Sequence, residues 1–440
     1  MKPRNLIVAA IVLAALSVGV WWANKHPQSA EPKSSASAST KLADIPESDV
    51  QELTLKKKDG SSVTIQRSGG KWVITAPHQL PADQDAVSSM LSSLGPLTAD
   101  SVVEEKTSDP GKYGLETPSL TVAVKEKNGK SNTISFGDDV PAGSLVYVRE
   151  ADSPKIYAIA SSVRSSFDKG LNDIRDKRLL TFDSNKLTQI DLTRPKSAVV
   201  FAKTNGSEWQ IEKPKPYRAD NFQVEELLRR LTDAKMDLSG MEDSKAVGAA
   251  FSTGQLVATA KLTGTSGTQS LEVRKNKDSY YATSSVVPGI YKISADVGKQ
   301  MEKPLDDYRN RKIFDFGFTD PNKLELKQGT SDKTYVRSGE TWKLNNQVMD
   351  SSGVQTLIDK LRDLSATKFV DTGFTNPVLE ITIVSNDGKR TEQVAFAKVA
   401  DGYIAKRGTE SAMYVVDAKA VDDILGASGA IKPSATASKK

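Results

Sequence analysis

Few residues in this chain are equipped for covalent or acid–base chemistry. There are two histidines, His26 and His78, and no cysteine. His26 lies in a Ser- and Pro-rich stretch and His78 in a loop with no counterpart in the repeats described below. The two therefore do not build a His-based catalytic dyad or a multi-histidine metal site. The missing thiols exclude disulfides, thiolate metal sites, cysteine nucleophiles and a lipidated cysteine. Ser-x-x-Lys, a nucleophile-and-base spacing of penicillin-binding enzymes, occurs at Ser68, Ser166 and Ser365, but the Ser-Asp-Asn and Lys-Thr-Gly elements of that machinery are missing. No phosphate-binding Gly-Lys-Ser/Thr loop, dinucleotide Gly-x-Gly-x-x-Gly or EF-hand spacing is present. Glycoside hydrolysis needs two carboxylates at a set separation in space, and nothing in the sequence selects a pair. The sequence thus offers no catalytic residue, no cofactor site and no metal ligand, and points to a protein that is not an enzyme.

What does recur is structural. Trp72, Trp209 and Trp342 stand at intervals of about 135 residues, the period of a domain-sized repeat. Each leads through a loop to an Asp: Pro77 and Ala82 precede Asp83, Pro214 and Ala219 precede Asp220, and a shorter loop precedes Asp350. Apolar residues then fall on one helical face: Val87, Leu91 and Leu94; Val224, Leu228 and Leu231; Val354, Ile358 and Leu361. The Asp residues read as N-caps, since a carboxylate can accept from the free amides of a first helical turn, and Gln223 would complete a capping box with Asp220. The tryptophans end short strand-like runs and read as core anchors.

The chain carries 60 basic and 55 acidic residues in 440, interspersed, for a net charge of +5. That balance lacks the concentrated basic stripe of a nucleic-acid binder. After Lys2 and Arg4, residues 6–23 are uncharged, mostly apolar, and end at Trp21 and Trp22 followed by Ala23. The stretch is just long enough to span a bilayer, and its paired tryptophans suit an interface, so an uncleaved transmembrane anchor is expected in preference to a cleaved signal peptide. The expected address is the bacterial inner (cytoplasmic) membrane, single-pass, with the C-terminal domain periplasmic or extracytoplasmic.

Order along the chain follows from these marks. Residues 1–23 are the anchor and 24–45 a disordered tether; 46–180, 181–314 and 315–426 are three modules; 427–440 is a disordered tail. Within the first module, alternation at Val50–Leu55 and Val63–Gln66 predicts a β-meander feeding the helix, and Asn128-Gly129 predicts a hairpin. Ser266-Gly267 and Asp387-Gly388 repeat that hairpin, and short closing helices follow at Val163–Ile174, Val297–Tyr308 and Val421–Leu425. Arg-rich junctions after Ile174 and at Tyr308 read as solvated helix ends rather than docking points. The fold class expected is α+β: three tandem repeats, each of antiparallel β-meanders or hairpins packed with two amphipathic helices, behind an N-terminal transmembrane helix.

The order Trp, Pro, Ala-Asp, Val and Leu-Leu, then Gly-Leu-x-x-Pro at Gly114–Pro118 and a later Tyr, resembles a bacterial family of domains of unknown function. Its members are membrane-anchored repeat proteins often encoded beside an ABC-type transport system linked to gliding motility. The resemblance covers roughly residues 46–425, and the third module departs from it by its shorter loop and by Met349 in place of Ala. It implies no catalytic residues. Anchor, tether, repeats and missing chemistry together lead to the expectation of a membrane-tethered, extracytoplasmic accessory or scaffold protein, with transporter subunits as partners. The alternatives are an envelope glycan- or substrate-binding protein using clefts between modules, and a carboxylate-dependent hydrolase.

Overall fold

The computed structural model describes residues 40–141, 143–204, 208–238, 244–408 and 410–434. The described residues form two compact units, divided between Asp176 and Lys177. In the first, β1 (Thr40–Asp44) precedes a meander of β2 (Val50–Lys57), β3 (Ser62–Ser68), β4 (Lys71–Ala76) and β5 (Leu80–Pro81). Helix α1 (Gln84–Leu91) follows, then β6 (Pro96–Ala99) and β7 (Ser101–Glu104). A second meander runs through β8 (Leu120–Glu126), β9 (Ser131–Asp139), β10 (Leu145–Glu150) and β11 (Ile156–Ala160), and short helices α2 (Ser161–Phe167) and α3 (Leu171–Ile174) close the unit. The two meanders join edge to edge, giving the order β5-β4-β3-β2-β8-β9-β10-β11-β7, and β1 pairs with β6 apart from them. All pairings are antiparallel.

Alternation explains why one face of this sheet is covered. Leu53, Leu55, Val63 and Ile65 are buried beneath Val87 and Leu91 of α1. On the opposite face Thr54 and Thr64 pair across strands at 3.1 Å, and Gln66 donates to Glu52 at 2.6 Å. Each fully buried aliphatic side chain contributes roughly 1.5–3 kcal/mol, so the one-sided pattern fixes which face takes the helix.

The second unit repeats the plan twice. Its eight-stranded sheet has β12 (Leu187–Arg194), β13 (Ser197–Thr204), β14 (Glu208–Lys213) and β15 (Tyr217–Arg218), then α4 (Asn221–Thr232) and α5 (Ser244–Thr253). It continues through β16 (Gln255–Gly264), β17 (Gly267–Asn276), β18 (Ser279–Ser284), β19 (Ile290–Ile293) and α6 (Ala295–Glu302), in the order β15-β14-β13-β12-β16-β17-β18-β19. Its nine-stranded sheet has β20 (Lys323–Gln328), β21 (Ser331–Ser338), β22 (Thr341–Leu344), β23 (Gln347–Met349), α7 (Ser351–Asp363) and β24 (Lys368–Val370). After these come β25 (Pro377–Ser385), β26 (Arg390–Val399), β27 (Gly402–Arg407), β28 (Met413–Val416) and α8 (Ala418–Ala430), in the order β23-β22-β21-β20-β25-β26-β27-β28-β24. The β25–β26 hairpin turns through the four residues between Ser385 and Arg390, of which Asn386, Asp387 and Gly388 all take positive φ, the left-handed region that Asn, Asp and Gly enter most readily.

Several sequence expectations are corrected by this architecture. The α+β class does not hold: strand outweighs helix, 46% against 24%, in four antiparallel sheets. One reason is that Pro96–Glu104, to which the sequence pattern assigns no element, lies in the sheets as β6 and β7. Among the described residues no helix is long and apolar enough to cross a membrane. The inner-membrane, single-pass placement is withdrawn on that finding, and residues 6–23, on which it rested, lie outside the described residues. The stretch 24–45, expected to be a disordered tether, carries a strand at its described end, where β1 (Thr40–Asp44) pairs with β6. The last helix runs on to Ala430 instead of ending at Leu425, and the chain beyond it stays attached: Ile431 is buried and Pro433 bridges Met349.

Candidate functional site

The repeated Asp residues sit where helix, sheet and chain end meet. The Asp83 carboxylate accepts from the amides of Asp85 and Ala86, Asp220 from Gln223, and Asp350 from Ser352 and Gly353. Each Asp also donates its own N–H to the end of its module: Asp83 to Ile174 O at 2.7 Å, Asp220 to Tyr308 O at 2.8 Å, Asp350 to Lys432 O at 2.8 Å. One residue thus starts the first long helix and pins the last turn of the repeat. Gln223 does not complete the expected capping box, because its side-chain carbonyl accepts from Lys303 Nζ at 3.1 Å instead. Asp220→Ala should lower unfolding free energy by about 1 kcal/mol, the ordinary cost of a lost cap, read as a lower denaturant midpoint at unchanged slope.

Trp72, Trp209 and Trp342 are all buried. Trp209 Nε1 donates to Glu225 at 2.8 Å, and the rings of Trp72 and Trp209 lie under Arg67 and Lys203. Sequence reasoning missed the residue after the cap. Gln84 accepts from Trp72 N at 2.8 Å, and Asn221 accepts from Trp209 N at 2.8 Å, so an amide on the helix fixes the strand that carries the Trp. The signal was an amide side chain at the same offset in two repeats, and Ser351 breaks it in the third.

Within the second unit, the junction after Tyr308 is not the solvated helix end expected of its charge. Arg309 is only 8% exposed, its guanidinium carbon 4.0 Å from the ring centre of Tyr217 and 3.6 Å from that of Phe369. Arg218 reaches Asp315 at 3.5 Å, Glu410 at 3.3 Å and the Tyr414 hydroxyl at 3.3 Å. Burial holds the Tyr414 phenol above its ordinary range. A planar guanidinium between two rings can be buried because stacking replaces much of its weak hydration. The seam between these two sheets is therefore filled by side chains.

Next to that seam the chain displays an aromatic side chain. The loop from Asp315 to Asn322 buries Phe316 and leaves Phe318 96% exposed. Arg362, in the last turn of α7, donates from Nε to Gly317 O at 2.9 Å and from Nη2 to Asp320 at 2.7 Å and Phe318 O at 3.4 Å. Its Nη1 meets Asp359 at 2.6 Å, and its guanidinium covers Phe316. Gln355 adds a bond to Asp320 at 3.3 Å. A single exposed apolar residue is commonplace. Phe318 differs in that its own carbonyl, that of Gly317 and the side chain of Asp320 are all tied to one mostly buried cation, so less of the loop remains to be ordered on binding.

No grouping of three or more His, Cys, Asp or Glu side chains able to hold a metal ion occurs among the described residues. His78 is exposed. His26 lies outside the described residues.

Fold and site together define a tandem-repeat protein of antiparallel sheets whose repeated residues cap, anchor and pin. The sequence profile of a family described as a domain of unknown function (DUF4340) matches residues 72–246 and again 209–379, the matches opening on Trp72 and Trp209. The chain belongs to that family. Neither a curated protein nor a solved structure matches it.

Proposed function

We propose that this protein is a non-enzymatic accessory or scaffold subunit that holds a protein partner through the second unit, with Phe318 as an anchor residue. The observation that supports the reading is the fully displayed ring on a loop immobilised by Arg362. Interfaces concentrate their binding energy in a few aromatic and Arg residues that enter pockets of the partner, and rigid presentation lowers the ordering cost. The filled Tyr217–Arg309–Phe369 seam favours this reading over a ligand held in a cleft between those two sheets. Subunits of an ABC-type transport system are the partner class that the family resemblance suggests. The test is crosslinking in native cells, purification through a C-terminal tag and mass spectrometry, with wild type and Phe318→Ser in parallel. Co-purifying subunits whose recovery falls about tenfold or more in Phe318→Ser are expected, as loss of an anchor worth 2 kcal/mol or so would give. Recovery of the wild-type chain alone, or equal recovery with both, would sink the proposal.

A further inference from the structure

A comparison of the three sheets at one register position exposes a site in the first. On the strand after the second-meander hairpin, Ile134, Leu271 and Val394 are equivalent buried residues, and directly across from them stand Glu150, Ser284 and Arg407. Two residues earlier on the same strand stand Asn132, Gln269 and Glu392. In the second and third sheets these two positions latch the segment that enters the module. Ser284 Oγ donates to Leu179 O, and Arg407 Nη1 donates to Ile313 O. Gln269 accepts from Thr181 N at 2.8 Å, and Glu392 from Asp315 N at 3.0 Å. The third sheet fills the space with a guanidinium, held also by Glu392 at 2.8 Å and Glu410 at 3.0 Å.

Among the described residues, the first sheet makes neither latch. Glu150, when ionised, cannot donate to a carbonyl. Asn132 gives one of its two side-chain N–H groups to Glu126 at 2.7 Å, and its carbonyl oxygen is an acceptor that no bond among the described residues uses. A polar pocket of about 320 Å³ opens where the third sheet has its arginine, lined by Ala43 of the entering segment, Asn132, Thr133, Glu150, Asp152 and Ser153. Among the described residues no hydrogen bond or ion pair reaches the Glu150 carboxylate; desolvation raises its pKa, with Lys130 near enough to oppose that and Asp152 adding to it. A half-buried carboxylate that no donor of its own sheet reaches, in a pocket with an open amide carbonyl, can take a cation from outside. The carboxylates of Glu150 and Asp152 lie on one turn, whereas a hydrolytic pair must flank a bond from two sides, so the pocket does not suit glycoside hydrolysis.

We propose that this pocket binds a guanidinium group, with Glu150 as counter-ion and the Asn132 carbonyl as second acceptor, in the place that the third sheet fills with its own Arg407. The group is that of an arginine side chain, carried either by a protein or by a small guanidine. This inference does not rest on the scaffold reading, since it concerns a different unit from Phe318. The experiment is calorimetric titration of the full chain at low salt with L-arginine and N-acetyl-arginine amide, each against its lysine counterpart. Saturable binding of arginine is expected, weakened about tenfold or more by the isosteric Glu150→Gln. Glu150→Arg, which copies the third sheet, should abolish binding while leaving the thermal midpoint at or above that of wild type. Equal affinity for the blocked amide assigns the site to an arginine on a protein; preference for the free amino acid assigns it to a small molecule. Absence of saturable binding, equal affinity for lysine, or unchanged affinity in Glu150→Gln would each overturn the proposal.

Discussion

Trp209→Ala is expected to lower the unfolding free energy of the second unit by about 3–5 kcal/mol, the range for removing a large aromatic from a close-packed core. Trp209 has no exposed surface, and its removal would open a void against α4 and leave Glu225 without its indole donor. The void carries most of this loss, because it forfeits dispersion contacts, whereas Glu225 is exposed and water can replace its lost indole donor. Trp209→Phe should fall between mutant and wild type, retaining most of the packing but not the hydrogen bond. Calorimetry suits the measurement better than a single denaturation curve, since a chain of two compact units need not unfold in one step. The transition carrying residues 177–440 should move down by several degrees. A loss under about 1 kcal/mol would show that the strand is held from elsewhere, with the Asn221 bond to Trp209 N the first candidate.

The periodic parts of this fold were legible. The apolar stripe after Asp220 reappears as Val224, Leu228 and Leu231 buried on α4, and the strands before Trp72 alternate as their pattern implies. Helical and strand periods report on burial against a single face, and burial on one face is what these sheets impose. What stayed hidden depends on distant partners. Helix α5, strands β6 and β7, and the run of α8 to Ala430 carry small or mixed residues whose structure is decided by neighbours far away in sequence. The same limit explains Arg309. A cluster of arginines after a helix usually lies in water, and only the arrival of Phe369 on the next sheet converts Arg309 into a stacked, buried residue. Phe318 gave no signal at all, because exposure has no period.

The repeat also shows how one backbone plan tolerates different chemistry at an equivalent position, and Arg407 is where that tolerance can be measured. Arg407→Ala is expected to cost about 3–5 kcal/mol, as breaking a buried pair does when one charge is left behind. Glu392 and Arg407 are both buried, and the mutation removes the bonds to Glu392, Glu410 and Ile313 O together. Arg390, 3.3 Å from Glu392, remains as a partial counter-ion and places the expected loss toward the lower end of that range. The second sheet supplies the rescue. There Ser284 and Gln269 hold the equivalent segment with neutral groups, so Arg407→Ser combined with Glu392→Gln should recover stability to within about 1.5 kcal/mol of wild type. The reasoning is that a charged latch and a neutral latch satisfy the same two backbone groups, and only the half-exchanged state leaves a buried charge alone. A strongly favourable coupling between the two substitutions in a double-mutant cycle would establish that the latch is one interchangeable unit. Additive losses would show instead that the third sheet needs the guanidinium itself, through Glu410 and the seam with Arg218.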